Sequence, residues 1–342
     1  MRCLQILNTI FWLTFLPATL MASSKIDTIY FQSGDRITGE VKSLENDLLR
    51  LSTDDAGTCK IEWTKVDSII VQNRMRILLA NGEILYGILL PSGVVKSCMI
   101  WRSTGDPRLV DLNRIVELSP IEEKFINRLS GTVSAGFSYI KASDVMTRNL
   151  NGSLKYLANK NLIETSYSGN VTSDPLGTTQ RQNGGFTFHR MLPKKWFLSA
   201  ELLAESNSEL QLDLRTTFGI GAGNSIIRTN RHHFYAAAGI LANRELSQEI
   251  AQNNVEGLVA VNYSVFVYDD PEVSFDISTN IIPSLNNPGR IRSETESILK
   301  WEIFNDLYLK WTFYYSFDSE PLAGGAEKSD WALTLLGLEY KL

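Results

Sequence analysis

The sequence predicts an all-β protein: a twelve-stranded antiparallel transmembrane β-barrel preceded by a small β domain built from two similar units. Three observations predict it. From Ser130 onward the chain is a series of stretches of about ten residues with apolar and polar residues alternating, separated by turn-forming clusters. Those clusters fall into a tight set and a longer set that take turns along the chain. Residues 27 to about 120 carry a strand-turn-strand pattern that returns 48 residues later.

Composition sets the outer bounds. The 342 residues are 44% hydrophobic, 21% charged and 10% aromatic, with 23 Gly and 10 Pro, which excludes collagen, a coiled coil and a wholly disordered chain. Mean hydropathy near zero excludes a bundle of membrane helices but not a membrane barrel, whose alternating residues cancel in any average. The 33 basic and 38 acidic residues give a net charge of -5, and nothing there points to a nucleic-acid partner.

The chain opens with Arg2, an apolar run from Leu4 to about Ala22 broken at Pro17, and the small residues Ala22-Ser23-Ser24. A basic start, an apolar middle and a small-residue exit are the layout of a secretory signal peptide, expected at 1–22. An uncleaved anchor helix is the competing reading. Cys3 precedes the apolar run and is no lipoprotein acceptor. After cleavage Cys59 and Cys98 remain, too few for a disulfide scaffold, and no CxxC supports a zinc site.

The first domain is expected at 27–118. Ile29, Phe31, Ile37 and Val41 alternate around Gly34-Asp35, and Ser33–Gly39 aligns with Asn81–Gly87. Downstream, Thr64–Ile69 aligns with Asn113–Leu118 after one inserted residue. The glycine in each turn suits a positive φ at a hairpin tip. Asp35 and Glu83 beside them are expected to be solvated turn residues rather than a ligand pair. No catalytic constellation stands out, and adhesion to another protein, to the cell wall or to the chain's own barrel is the expected use. A linker follows at 119–130, where Pro120 ends a strand and mixed charge keeps the stretch wet.

The barrel is expected at 131–342, in twelve stretches: 131–140, 148–158, 161–172, 181–190, 195–205, 211–227, 232–242, 254–268, 272–282, 290–303, 307–317 and 331–342. That is about 18 residues per strand with its connection, enough for tilted membrane strands. Tight turns at 159–161, 192–194, 229–231, 269–271 and 305–306 alternate with mostly longer loops at 141–147, 173–180, 206–210, 243–253, 283–289 and 318–330, the asymmetry of outer-membrane barrels.

Alternation assigns the faces. In the sixth stretch Leu212, Leu214, Thr216, Phe218, Ile220 and Ala222 are expected to meet lipid, while Asp213, Arg215, Thr217 and three glycines face a polar lumen. In the tenth, Glu294, Glu296, Lys300 and Glu302 join Arg292 on the lumen side, opposite Ile291, Leu299 and Trp301. The lumen-lining candidates are therefore Asp213, Arg215, Glu294, Glu296, Lys300 and Glu302. Trp196, Trp301 and Trp331 lie near strand ends and suit aromatic girdles. At the terminus, Gly337, Tyr340 and Leu342 are similar to the C-terminal signal by which such barrels are recognised for assembly, with Leu342 in place of the commoner Phe.

Enzyme chemistry finds little support. Gly219, Gly221 and Gly223 are spaced GxGxG, not GxGxxG, and no strand-to-helix transition follows. None of His189, His232 and His233 has a serine two positions away, and Glu294, Glu296 and Glu302 read more simply as lumen charge than as a carboxylate pair. No catalytic residue, metal site or cofactor is expected.

The run Leu212–Gly223, with Ile227-Arg228-Thr229, Ala238-Gly239 and the Lys194-Lys195-Trp196-Phe197 turn, resembles the salt-induced outer-membrane proteins, a domain of unknown function (family 481). The likeness covers about residues 125–342, and the first domain, with Gly34–Gly39 and Ile61-Glu62-Trp63, looks like an extension found in some relatives. The resemblance implies an outer-membrane barrel and no known substrate. The expected location is the outer membrane with the first domain in the periplasm. The expected partners are outer-membrane lipid, the barrel assembly machinery, and a periplasmic protein or the cell wall. Passive passage of small solutes or envelope integrity leads the functional readings. A membrane-anchored binding module is second and an envelope enzyme third.

Overall fold

The computed structural model describes residues 26–102, 105–121, 128–247, 250–268, 271–304, 307–321 and 328–340. The expected signal peptide, half of the linker and Leu342 lie outside them. Every regular element described is a strand or a single 3-10 turn, and no helix among these residues is long and apolar enough to cross a membrane.

The first sheet contains β1 (Asp27–Phe31), β2 (Arg36–Glu45), β3 (Leu48–Ser52), β4 (Thr58–Glu62), β5 (Val66–Leu79), β6 (Ile84–Pro91), β7 (Ser97–Arg102), β8 (Arg108–Asp111) and β9 (Ile115–Pro120). Its order is β4-β3-β2-β1-β5-β6-β7-β8, with β9 bridging β2 and β5. The sequence repeat is visible as geometry. Ile29 pairs with Ile69 in the first unit, and Ile77 pairs with Leu118 in the second. A 3-10 turn, Trp63–Lys65 or Leu112–Arg114, precedes the closing strand of each unit. The long strand β5 belongs to both units and joins them.

Alternation buries one side of these strands. Ile29, Leu44, Leu49, Leu51, Ile69, Ile77, Leu79, Ile100, Ile115 and Leu118 form one core, whose removal from water stabilises the fold at about 25 cal/mol per Å² of apolar area. Trp63 is buried in it and donates from Nε1 to the Leu112 carbonyl at 2.8 Å, so each unit's turn is tied to the other. Gly34 and Gly82 have φ of 91° and 83° at the two hairpin tips. Gly39 and Gly87 are equivalent positions where neighbouring backbone comes too close for a Cβ: the Ser52 carbonyl lies 2.6 Å from the Cβ position at Gly39, and the Trp101 carbonyl is closer still at Gly87. Asp27 is fully buried and accepts from the Val41 and Gln72 amides at 2.8 and 2.9 Å. Burial raises its carboxyl above the usual aspartate value, and the two amides act against that. Cys59 and Cys98 are free thiols, and burial pushes Cys98 up to about 12. Asp35 and Glu83 hold no common site: Asp35 accepts from Ser33, and Glu83 pairs with Arg108.

The second sheet contains β10 (Leu129–Ile140), β11 (Val145–Ala158), β12 (Asn161–Asp174), β13 (Gly177–Met191), β14 (Trp196–Asn207), β15 (Leu212–Arg228), β16 (His232–Ser247), β17 (Ile250–Val267), β18 (Val273–Pro283), β19 (Ile291–Phe304), β20 (Leu307–Asp318) and β21 (Ser329–Tyr340). Each strand pairs antiparallel with the next in sequence order. The sheet is rolled. Arg181 on β13 lies 4.0 Å from the ring centroid of Tyr314 on β20, although seven strand steps in a flat sheet would separate them by about 34 Å.

One expectation about the connections is corrected. The segments 173–180 and 243–253 are mostly strand rather than loop: β12 runs to Asp174 and β13 starts at Gly177, while β16 runs on to Ser247 and β17 starts at Ile250. Residues there such as Asn243 and Glu245 are polar yet buried on the concave face, so their polarity marks a strand facing inward, not an exit from the sheet. Longer connections on that side are confined to 284–290 and 319–328.

Candidate functional site: the concave face and its two ends

Register determines which residues share the concave face. Thr132 Oγ1 meets Ser153 Oγ at 2.9 Å, and Ser168 donates to Asn151 at 2.7 Å, so β10–β12 contribute hydroxyls and amides. The opposite face carries the exposed apolar residues: Val133, Phe137, Leu150, Phe186, Leu202, Phe218, Ile220, Ile240, Val259, Ile281, Trp311 and others. Trp196, Trp301 and Trp331 belong to that convex face, the first two at the tight-turn ends and Trp331 at the start of β21. For Gly337 and Tyr340 only their place in β21 is described.

On the concave face, at the end carrying the 284–290 and 319–328 connections, four charges alternate in a closed ring. Arg290 donates to Glu245 at 2.9 Å and to Asp318 at 2.6 Å. Arg215 donates from Nε to Glu245 at 3.0 Å and lies 4.0 Å from Asp318. Arg215 also pairs with Glu205. The ring joins β15 and β16 to β20, across the hollow of the rolled sheet. A second layer lies beneath it: Arg292 holds Glu256 in a two-point contact at 3.0 and 2.7 Å, and Glu256 accepts from Asn243. Glu245, Glu256, Arg290 and Arg292 are all at most 5% exposed. Paired and hydrogen-bonded, these charges avoid the penalty of lone buried ions, and the geometry locks the strands in register.

Of the six lumen candidates, Arg215 belongs to this ring and Glu294 lies 3.9 Å from Arg292. Glu296 is exposed, in register with Ser278 and Tyr314 on the same face. Lys300 and Glu302 lie toward the tight-turn end, where Glu302 accepts from the Glu272 amide at 3.0 Å. Asp213 is placed differently. It is exposed and Leu212 is buried, because a bulge between Glu205 and Asn207 puts an extra residue into β15 and breaks the alternation there. Arg290, Glu245, Glu256 and Asp318 were not legible as a site. Their partners stand on other strands, and the one local signal was a pair of arginines two apart at 290 and 292.

The histidines separate. His232 Nδ1 is 3.0 Å from the Tyr263 hydroxyl, and His189 meets the Phe197 ring edge-on. His233, Ser264 and Asp276 form a cross-strand row. Ser264 gives its hydrogen to Asp276, and His233 Nε2 is buried with no partner among the described residues, so serine and imidazole are not coupled as a nucleophile and base need. Gly219, Gly221 and Gly223 line the concave side of β15, with the Phe197 ring seated against Gly223. No group of three or more metal-ligating side chains is gathered among the described residues.

The tight-turn end of the sheet is where the first domain sits. Arg76 pairs with Glu117 at 2.5 Å and donates to the Asn159 carbonyl at 2.7 Å. Glu117 also accepts from Arg228 at 3.4 Å, and Arg231 reaches the fully buried Asp47 at 3.1 Å. The first domain is thus clamped to the β11–β12 and β15–β16 turns.

Fold and faces together define an antiparallel β protein with a rolled, polar-lined sheet and an apolar outer surface. Residues 133–342 match the model of the family described as "Protein of unknown function, DUF481", and the chain belongs to that family. Among solved structures, a NanC porin in a rhombohedral crystal form is similar at a TM-score of 0.38 and 12% identity, covering 62% of this chain and all of that one. No curated protein matches.

Proposed function

We propose that the twelve strands close into an outer-membrane barrel with a polar lumen, acting in the passage of small polar solutes, and that the state described is a shut one. The single observation that carries this reading is the division of faces: the convex side exposes large apolar side chains strand after strand, while the concave side is hydroxyl, amide and paired charge. Apolar surface on that scale matches acyl chains and would aggregate in water. The ring of Arg215, Glu245, Arg290 and Asp318 obstructs one mouth, and the first domain stands over the other.

The test is fractionation followed by planar-bilayer recording. The protein is expected to partition with outer membranes and to shift in gel mobility on boiling. Its conductance is expected to rise when residues 27–118 are removed. Recovery as a soluble protein without detergent would end the membrane reading. Zero conductance with and without that segment would favour the second reading, in which the barrel only anchors the first domain as a binding module. The contacts by which Arg76, Arg228 and Arg231 join that domain to the second sheet support this alternative.

A further inference from the structure

We propose that the cleft between the first domain and the tight-turn rim of the second sheet binds a phosphate-bearing anion. The cleft encloses about 800 Å³ and is lined by Arg74, Arg102, Lys160 and Arg190, with Tyr86 and Asn159 between them. None of its described lining residues is a carboxylate. That sets it apart from the ion pairs at the same junction: Arg76 and Arg228 with Glu117, Arg231 with Asp47, Lys155 with Glu45 and Glu164. Arg74, Lys160 and Arg190 have no ion-pair partner among the described residues.

The fold brings these cations together from separate places. Arg74 stands where the β5–β6 register shifts between Val71 and Met75. Arg102 ends β7 and is steadied by donating to the Asp106 carbonyl at 2.9 Å, which leaves its charge uncompensated by that contact. Lys160 is in the β11–β12 turn, and Arg190 is the penultimate residue of β13 on the convex face, a few residues from Trp196. Four like charges around one cleft repel one another, and an anion placed among them turns that repulsion into attraction. Guanidinium forks match phosphate oxygens two at a time, and lysine adds a point charge.

Two sources present this chemistry: a phospholipid headgroup in the leaflet beside the rim, or a soluble phosphate monoester. The site goes beyond the proposed passage function, and only its lipid source rests on the membrane reading. The experiment uses the full chain refolded in neutral detergent, wild type against R74Q/K160Q/R190Q, with K141Q/R148Q as a control for overall charge. One arm measures retention of phosphatidylglycerol against phosphatidylcholine by native mass spectrometry. The other measures glycerol 3-phosphate binding by calorimetry. The triple variant is expected to bind at least about tenfold more weakly in one arm, with the control unchanged. Loss in the first arm alone assigns a lipid headgroup, and loss in the second assigns a soluble ligand. If the triple variant fails to give the folded gel band, K160Q alone is measured, with a loss of about threefold or more expected. Wild-type and variant binding within about twofold in both arms, or an equal loss in the control, overturns the proposal.

Discussion

Arg290 and Asp318 lie 28 residues apart in the chain and meet through two hydrogen bonds, Nε to Oδ1 at 3.0 Å and Nη2 to Oδ2 at 2.6 Å. The same guanidinium holds Glu245, which is 45 residues upstream. One side chain therefore ties the start of β19 to β16 and β20.

Arg290→Ala leaves the buried Glu245 and the half-buried Asp318 without this partner. The expected loss is about 3 kcal/mol in urea unfolding, the low end for breaking a buried ion pair, because Arg215 still faces both carboxylates. In planar bilayers the variant is expected to conduct more than wild type, because the ring crosses the mouth. An R290A protein with unchanged stability and unchanged conductance would remove the ring from the account.

Glu117 accepts from Arg76 within its own domain and from Arg228 across the interface. Glu117→Ala is expected to loosen the first domain, seen as faster protease cleavage between 119 and 130. High salt is expected to narrow the gap between variant and wild type, because the more exposed Arg228 pair is partly screened. Equal cleavage rates would mean that the Arg76–Asn159 and Arg231–Asp47 contacts hold the domain without Glu117.

Asp27 gives a pH prediction. Its carboxyl is raised above 3.8 by burial, so the folded state binds the proton more tightly than the unfolded chain. The stability this contributes is complete below the unfolded value and is lost as pH rises through the folded one. Asp27→Asn lacks that titration and turns an amide donor toward the Val41 or Gln72 N–H, for an expected loss of about 1–3 kcal/mol. Hydrogen exchange in β1, β2 and β5 is expected to show the wild-type advantage widening as pH falls from neutral toward 4, near the usual aspartate value. A gap that narrows on acidification contradicts the assignment.

Gly87 faces the Trp101 carbonyl with no room for a Cβ, while Gly34 stands in open space and only its φ of 91° resists substitution. Gly87→Ala is therefore expected to destabilise the first domain more than Gly34→Ala, for which about 1 kcal/mol is expected. Thermal unfolding of the two variants decides the order.

Much of this fold was legible because alternation survives in the sequence: Phe218 and Ile220 against Thr217 and Gly219 needed only a period of two. The repeat was legible for the same reason, since Ile29 and Ile77 play one role twice. The 243–253 segment misled because a buried, paired Asn243 or Glu245 looks like a solvated loop residue until its partners are known. Those partners, Glu256 and Arg290, come from the far side of a hairpin or from a later connection, and no local pattern announces them. Asp213 was misplaced by one inserted residue, which reverses faces without changing composition. The cationic cleft needed both sheets, because Arg74 and Arg190 converge only through the tertiary fold.

The central claim is that the convex face touches acyl chains, and spin labels at neighbouring positions test it most directly. Labels at Phe218 and Trp311 in vesicle-reconstituted protein are predicted to collide with oxygen and to be shielded from an aqueous nickel chelate, while a label at Thr217 shows neither the oxygen access nor the lipid signal. Phe218 and Trp311 labels that collide with the nickel chelate as freely as a label in water would contradict the barrel.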